Sequence, residues 1–296
     1  MIRRGGAGLL LGLSLGALIT VGLLDVSAAK PPLGPRGWAP GSLPWTPSSL
    51  LVTVMLALAY VAGGLGLLLR LRAPRELPGP ALAVLALGCL LTMPFGSADH
   101  TNYAAYGRIA LLGDDPWAFS PLDWRGGADP VAGGVQPPWQ DTPSIYGPVA
   151  TLAQLLAAWV GGDNLRQVVW VWQWLIVAAW LATRVLLRRL LPQRRALVDV
   201  LWTANPLVVG TGVLGAHVDM LATPLIVAAL LAARRVGWQA AVVAGLLGGL
   251  ATGVKATAGV VLPSDRWRRA RDRATPPPAD GSERRSPDRR SRRRDG

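Results

Sequence analysis

The sequence predicts an all-α fold, a polytopic bundle of transmembrane helices. Three observations predict it. Of the 296 residues, 51% are hydrophobic and only 16% are charged, whereas ordinary soluble domains carry about 25% charged residues. Apolar runs approaching or reaching the roughly 17–25 residues that cross a bilayer recur along the chain. The net charge is +13, yet the basic residues stand in short clusters between the apolar runs. That is how Arg clusters mark the cytoplasmic loops of a multi-pass protein, so nucleic acid is not an expected partner. The single cysteine, Cys89, excludes an internal disulfide and lies in an apolar run as a small core hydrophobe.

The first span is predicted over Gly8–Leu24, behind Arg3 and Arg4. A signal peptide is the alternative, because Ser27-Ala28-Ala29 resembles a cleavage site. Both readings leave Lys30–Pro47 outside. The second span is Ser49–Leu69, followed by Arg70, Arg72 and Arg75, and the third is Pro80–Phe95. The polar stretch Gly96–Tyr146 then carries six Asp against Arg108 and Arg125. Its sign is opposite to that of the chain, and long loops of this kind are usually functional or disordered. Its Trp and Tyr residues argue against disorder.

Gly147–Val160 is apolar but short. As a full span it would place Arg184, Arg188, Arg189, Arg194 and Arg195 outside, against the positive-inside rule. It is therefore read as a re-entrant or juxtamembrane helix. The remaining spans are Gln167–Leu187, Ala196–Leu214, Val218–Ala233 and Trp238–Leu262. This gives seven spans within a membrane region 1–262, with loop 96–146 outside. The tail 263–296 holds 12 Arg against six acidic residues and almost nothing apolar, a composition of disorder. It reads either as a polybasic arm or as the end of a chain cut short.

Four polar clusters fall at the outer face under this topology. Asp99, Tyr103 and Tyr106 share one helical face at i, i+4 and i+7. A carboxylate and two phenols suit a hydroxylated ligand; the simpler reading is a helix start with interface tyrosines. Asp141 and Tyr146 flank a turn that holds Pro143, ahead of Pro148, where Asp141 could merely cap the turn. His217 and Asp219 stand two apart between spans. They could orient each other or share a metal, although two ligands fall short of the usual zinc set. Lys255 lies 17 residues into the last span, about 26 Å from its inner end. Either it binds a ligand or it snorkels to the surface.

Asp99 before Tyr103-x-x-Tyr106-Gly-Arg108, then Gly113-Asp-Asp-Pro-Trp117, resembles the first external loop of the C-type membrane glycosyltransferases. Tyr146-Gly-Pro148, Asn205-Pro206, Gly215-Ala-His-Val-Asp219 and Val254-Lys-Ala256 follow in order. Together they resemble the actinobacterial polyprenol-phosphate-mannose-dependent alpha-1,6-mannosyltransferases over about Met1–Leu262. Family members are longer, so the chain resembles an amino-terminal portion. The resemblance implies a cell-membrane enzyme working at the extracytoplasmic face. Its donor would be a polyprenyl-phosphate-mannose lipid and its acceptor a mannan or lipoglycan hydroxyl, joined by inverting single displacement. Asp99 would be the base. Lys255 and Arg108 would face the departing phosphate, and Tyr103, Tyr106, Asp141, Tyr146, His217 and Asp219 would bind sugar. No cofactor is implied with certainty, and room is left for a divalent metal. The alternatives are a lipid-linked sugar flippase and an inactive membrane fragment.

Overall fold

The computed structural model describes residues 2–260, so the Arg-rich tail lies outside the described residues. The described residues form helices and turns, with only the isolated bridges Leu24–Leu43 and Ser27–Lys30 in place of sheet. In chain order the helices are α1 (Ile2–Leu23), α2 (Ser49–Leu71), α3 (Gly79–Leu91), α4 (Asp99–Leu111), α5 (Pro148–Gly161), α6 (Leu165–Leu190), α7 (Arg195–Val198), α8 (Asp219–Ala232) and α9 (Trp238–Val254). Among the described residues, three helical stretches are long and apolar enough to cross a membrane: Gly5–Leu23, Ser49–Leu71 and Leu165–Leu190.

Local chemistry sets the boundaries. The Ser48 hydroxyl accepts the Leu51 N–H at the start of α2, and the Asn164 side chain accepts the Gln167 N–H at the start of α6. These side chains satisfy donors that a helix start leaves free. Pro148 begins α5, where a missing N–H costs nothing. Lys30 caps the far end of α1. Its Nζ donates to the Gly22 carbonyl at 3.2 Å, to the Leu24 carbonyl and to Ser42 Oγ at 3.1 Å. Burial, with the nearby Arg166 charge, pushes this amine down to about 8.

Helix α6 measures the body. Near its start, Trp172 touches Tyr103 and the Ala216 carbonyl. Near its end, Arg184 and Arg188 grip Asp199. Twelve helical residues separate these contacts, about 18 Å. The chain therefore has two ends. Lys30, the Gly96–Asp99 turn, α4 and the starts of α2, α6 and α8 lie at one. Arg70–Glu76, Arg184–Arg195 and Arg234–Arg235 lie at the other. Helices α4 and α5 both begin and finish at the first end. They cross where Gly107 meets the Gln154 backbone so closely that a Cβ there would overlap the Gln154 carbonyl.

Three expected spans differ in detail. Helix α3 stops at Leu91 rather than Phe95, because the Thr92 hydroxyl turns back to the Cys89 carbonyl and Pro94 follows. The expected span Ala196–Leu214 is not one helix. After α7 it widens into a turn over Asp199–Thr203, breaks at Asn205-Pro206, and widens again over Val208–Val213. Pro206 lacks the N–H a continuous helix needs, and the Asn205 side chain bonds the Leu201 carbonyl and the Leu207 N–H instead. Helix α9 ends at Val254, not Leu262. Lys255 is extended and a tight turn over Ala256–Val260 follows, so Lys255 stands beyond the helix rather than inside it.

Asp199 ties the Arg-rich end together. It is 1% exposed and accepts from Arg184 Nε (2.7 Å) and Nη2 (3.1 Å), Arg188 Nη1 (2.7 Å), Leu77 N (2.9 Å) and Thr203 Oγ1 (3.1 Å). Removing one partner of a buried, saturated ion pair costs about 3–5 kcal/mol. Asp199→Leu is expected to lower stability in detergent by about that much, read by denaturant titration of Trp fluorescence. Glu76→Gln, which touches the same Arg188 from an exposed position, is expected to cost less than about 1 kcal/mol. Equal losses would remove the nodal role of Asp199.

Candidate active site

The site is built at the end opposite Asp199. Helix α4 begins at Asp99, after Ser97 Oγ accepts the Asp99 N–H at 3.1 Å. Asp99 Oδ2 lies 3.4 Å from His217 Nδ1, and both side chains are about one-third exposed. The tautomer protonated at Nδ1 donates to the carboxylate, which holds Asp99 below its ordinary pKa. His217 arrives from the wide turn after Val213. There Ala216 adopts a left-handed conformation (φ 52°), and its carbonyl takes the Trp172 Nε1 hydrogen at 2.8 Å.

A second pair stands beside the first. Lys255 Nζ contacts both oxygens of Asp219 at 2.9 Å. Asp219 opens α8 and Lys255 follows α9. The backbone fixes this approach. The Gly147 N–H donates to the Val254 carbonyl at 3.2 Å, and a Cβ on Gly147 would overlap the Gly253 carbonyl. Tyr146, one residue before this contact, has its ring 5.2 Å from that of Tyr103, one helical turn after Asp99, and the Asp99, Lys255 and Asp219 charges all act on its hydroxyl. Burial pushes the Tyr103 and Tyr106 hydroxyls up, as it does Tyr146, so all three remain neutral donors at physiological pH.

The sequence-derived residues divide. The structure brings together Asp99, Tyr103, Tyr146, His217, Asp219 and Lys255. Tyr103 stacks edge-on with Tyr146 (5.2 Å) and lies 5.0 Å from Trp172. Tyr103 and Tyr106 are 1% and 3% exposed, walls of the site rather than surface anchors. Tyr106 donates to the Thr142 carbonyl at 2.8 Å, securing the loop below Tyr146. Arg108 does not join them. It pairs with buried Asp129 at 3.1 Å, nine helical residues from Asp99, or about 14 Å along α4. Asp141 is exposed, its carboxylate 3.5 Å from the Thr142 hydroxyl. His217 and Asp219 do not orient each other; each turns to a different partner. Among the described residues, no group of three His, Cys, Asp or Glu could hold a metal.

Several contributors were silent in the sequence. Trp117 Nε1 donates to the Tyr146 carbonyl at 2.6 Å. Asp114 accepts from Trp124 Nε1, Asp115 from the Trp117 N–H, and Asp129 from the Val131 and Ala132 N–H groups. Much of the loop's acidity therefore folds the loop itself. His100 is fully buried, with neither ring nitrogen bonded to a described residue. Burial pushes it down to about 3, so it is neutral. The Trp-rich composition was the available signal for the indole contacts, but it could not say which carbonyls they reach.

An all-helical protein with apolar helices of spanning length and a carboxylate–tyrosine–lysine cluster at one end is the class that fold and site define. The chain belongs to a mannosyltransferase family: residues 4–271 match the family described as Alpha-(1->6)-mannopyranosyltransferase, N-terminal domain. It is 32% identical over 191 residues to a probable alpha-(1->6)-mannopyranosyltransferase of Mycolicibacterium smegmatis. That match covers 59% of this chain and 32% of the relative, so the chain spans only part of the relative's length. No solved structure matches.

The Asp99–His217 contact generates a pH prediction. An Asp whose folded pKa is depressed holds its stabilising charge above the unfolded pKa and loses it as pH falls through the folded value. With His217→Phe the largest depressing contact disappears. The Asp99 carboxyl resonance, assigned by difference from Asp99→Asn, should then titrate at higher pH in carbon-13 NMR. An unchanged midpoint would show that His217 does not hold the carboxylate.

Proposed function

We propose that this chain is the donor-and-acceptor-binding part of a membrane mannosyltransferase that works at the extracytoplasmic face. The donor is a polyprenyl-phosphate-mannose lipid and the acceptor is a mannan or lipoglycan hydroxyl. The carrying observation is the juxtaposition of Asp99–His217 with Asp219–Lys255 around Tyr146. A glycosyl transfer needs a base for the incoming hydroxyl and a cation for the leaving phosphate, and this end of the fold offers both.

In a single displacement the acceptor oxygen attacks the anomeric carbon as the bond to the phosphate oxygen breaks. Asp99 takes the acceptor proton, and the lipid departs as its phosphate. His217 keeps Asp99 ionised and aimed. Lys255 stabilises the leaving phosphate. Its pairing with Asp219 is no obstacle, because the two side chains are 31% and 56% exposed and such pairs are worth about 0–1 kcal/mol. Tyr146, which is partly exposed, remains a neutral donor for sugar hydroxyls, with buried Tyr103 packed against it as support. Arg108, held by Asp129, is left out of phosphate binding.

The topology that goes with this reading has seven spans. Its support is that the chain passes between the two ends along α1, α2, α3, α6, the Arg195–Val213 segment, α8 and α9 in turn. The Arg-rich end then faces the cytoplasm, as the positive-inside rule requires.

The test is transfer from radiolabelled polyprenyl-phosphate-mannose to an oligomannoside in vesicles. Asp99→Asn is expected to lower transfer at least about a hundredfold, within the range for lost acid–base catalysis. Lys255→Met should weaken donor use while leaving membrane insertion intact. Near-normal turnover by both variants would overturn the assignment.

A further inference from the structure

A cleft of about 230 Å³ opens beside the site, between the Val26–Pro32 hairpin and the Gly96–Ala98 turn, with Gln136 on its third side. It is smaller than the roughly 300–1,000 Å³ of pockets that hold drug-sized ligands, and suits one ring. Val26, Pro31 and Pro32 give it apolar surface. The polar groups are Ser27, Ser97 and Gln136. Lys30 also lines the cleft, but its amine is already spent on two carbonyls and the Ser42 hydroxyl. No other charged residue lines it. An anion such as the donor phosphate therefore finds no free cation there.

Gln136 is the informative residue. Its amide bonds to no described residue, although it is half-buried. The backbone before it is pinned, with the Val135 N–H donating to the Ala132 carbonyl at 3.2 Å and Val135 in the core beside α4. A side chain with two donors and an acceptor, in a cleft that also offers valine and proline carbon, matches a pyranose. Such a ring presents hydroxyls at its edge and C–H bonds on its face. Ser97 links this cleft to the base, because it lines the cleft and also holds the Asp99 N–H.

We infer that this cleft is a neutral-sugar subsite that holds the acceptor residue next to the reacting one, with Gln136 binding its hydroxyls. The inference rests on the transfer reading for its choice of sugar, but its test does not use transfer. A chain acceptor would occupy both the Asp99 site and this cleft, whereas a single sugar would fill only one. The subsite therefore makes the protein favour oligosaccharide over monosaccharide.

The experiment measures binding of alpha-1,6-linked mannotriose and of methyl alpha-mannoside to the 296-residue protein in detergent, by saturation-transfer NMR, with no donor present. The trisaccharide should bind more tightly than the monosaccharide. Gln136→Ala should weaken trisaccharide binding about tenfold, as expected for the loss of two hydrogen bonds, and leave the monosaccharide unchanged. Ala28→Trp, placed on the exposed rim, should block the trisaccharide by filling the cleft. An unchanged tryptophan fluorescence spectrum in Gln136→Ala would show that the fold is kept. Trisaccharide binding indifferent to both substitutions, or no preference for the trisaccharide, would overturn the subsite. Neither result would touch the transfer reading, which is judged by donor consumption.

Discussion

The meeting of Gly147 with the end of α9 is the contact on which the site depends. The Gly147 N–H donates to the Val254 carbonyl, and the two backbones approach where neither residue 147 nor residue 253 has a side chain. This contact stops α9, turns Lys255 into an extended residue and delivers its amine to Asp219. It also brings Tyr146, one residue earlier, beside Lys255's segment, with its ring against Tyr103 on the Asp99 helix. Any residue larger than glycine at 147 would have to push α5 away from α9.

The two ends of the fold use charge in opposite ways. At the Arg-rich end Asp199 is buried and saturated by five donors. Such a cluster is held in one arrangement, because losing one partner leaves an uncompensated charge. At the other end the Asp99–His217 and Asp219–Lys255 pairs are partly exposed and have few additional partners. They can exchange partners with a ligand at low cost. The buried tyrosines and Trp172 beneath them supply the rigid floor. Stability is concentrated where nothing needs to move, and exchangeable charge where chemistry is proposed.

Much of this was legible in the sequence. Apolar runs located α1, α2, α3, α6, α8 and α9, and the short Gly147–Val160 run was readable as a helix of its own, seen as α5. The clusters around Asp99, Tyr146, His217 and Lys255 were visible as polar residues next to apolar runs, where polar residues are costly. Their pairing was not, because a carboxylate does not announce its partner. His217 and Asp219 stand two apart, yet one turns to Asp99 and the other to Lys255. Arg108 looked available because Asp129, 21 residues later, gave no sign of reaching it. Asp199, inside the expected span Ala196–Leu214, gave no sign of its arginine partners for the same reason. The break at Asn205-Pro206 was written in the proline, but the wide turns around it depend on tertiary bonds.

The central claim is that Ser97, beside Asp99, and Thr257, beyond Lys255, share one membrane face, with Gln193 at the other. Single cysteines at these three positions, in a Cys89→Ser background, can be probed in intact cells with a membrane-impermeant maleimide. Labelling at 97 and 257 from outside, with 193 reached only after lysis, is the expected result. Labelling of 97 and 257 from opposite sides would separate the two charged pairs and contradict a single site.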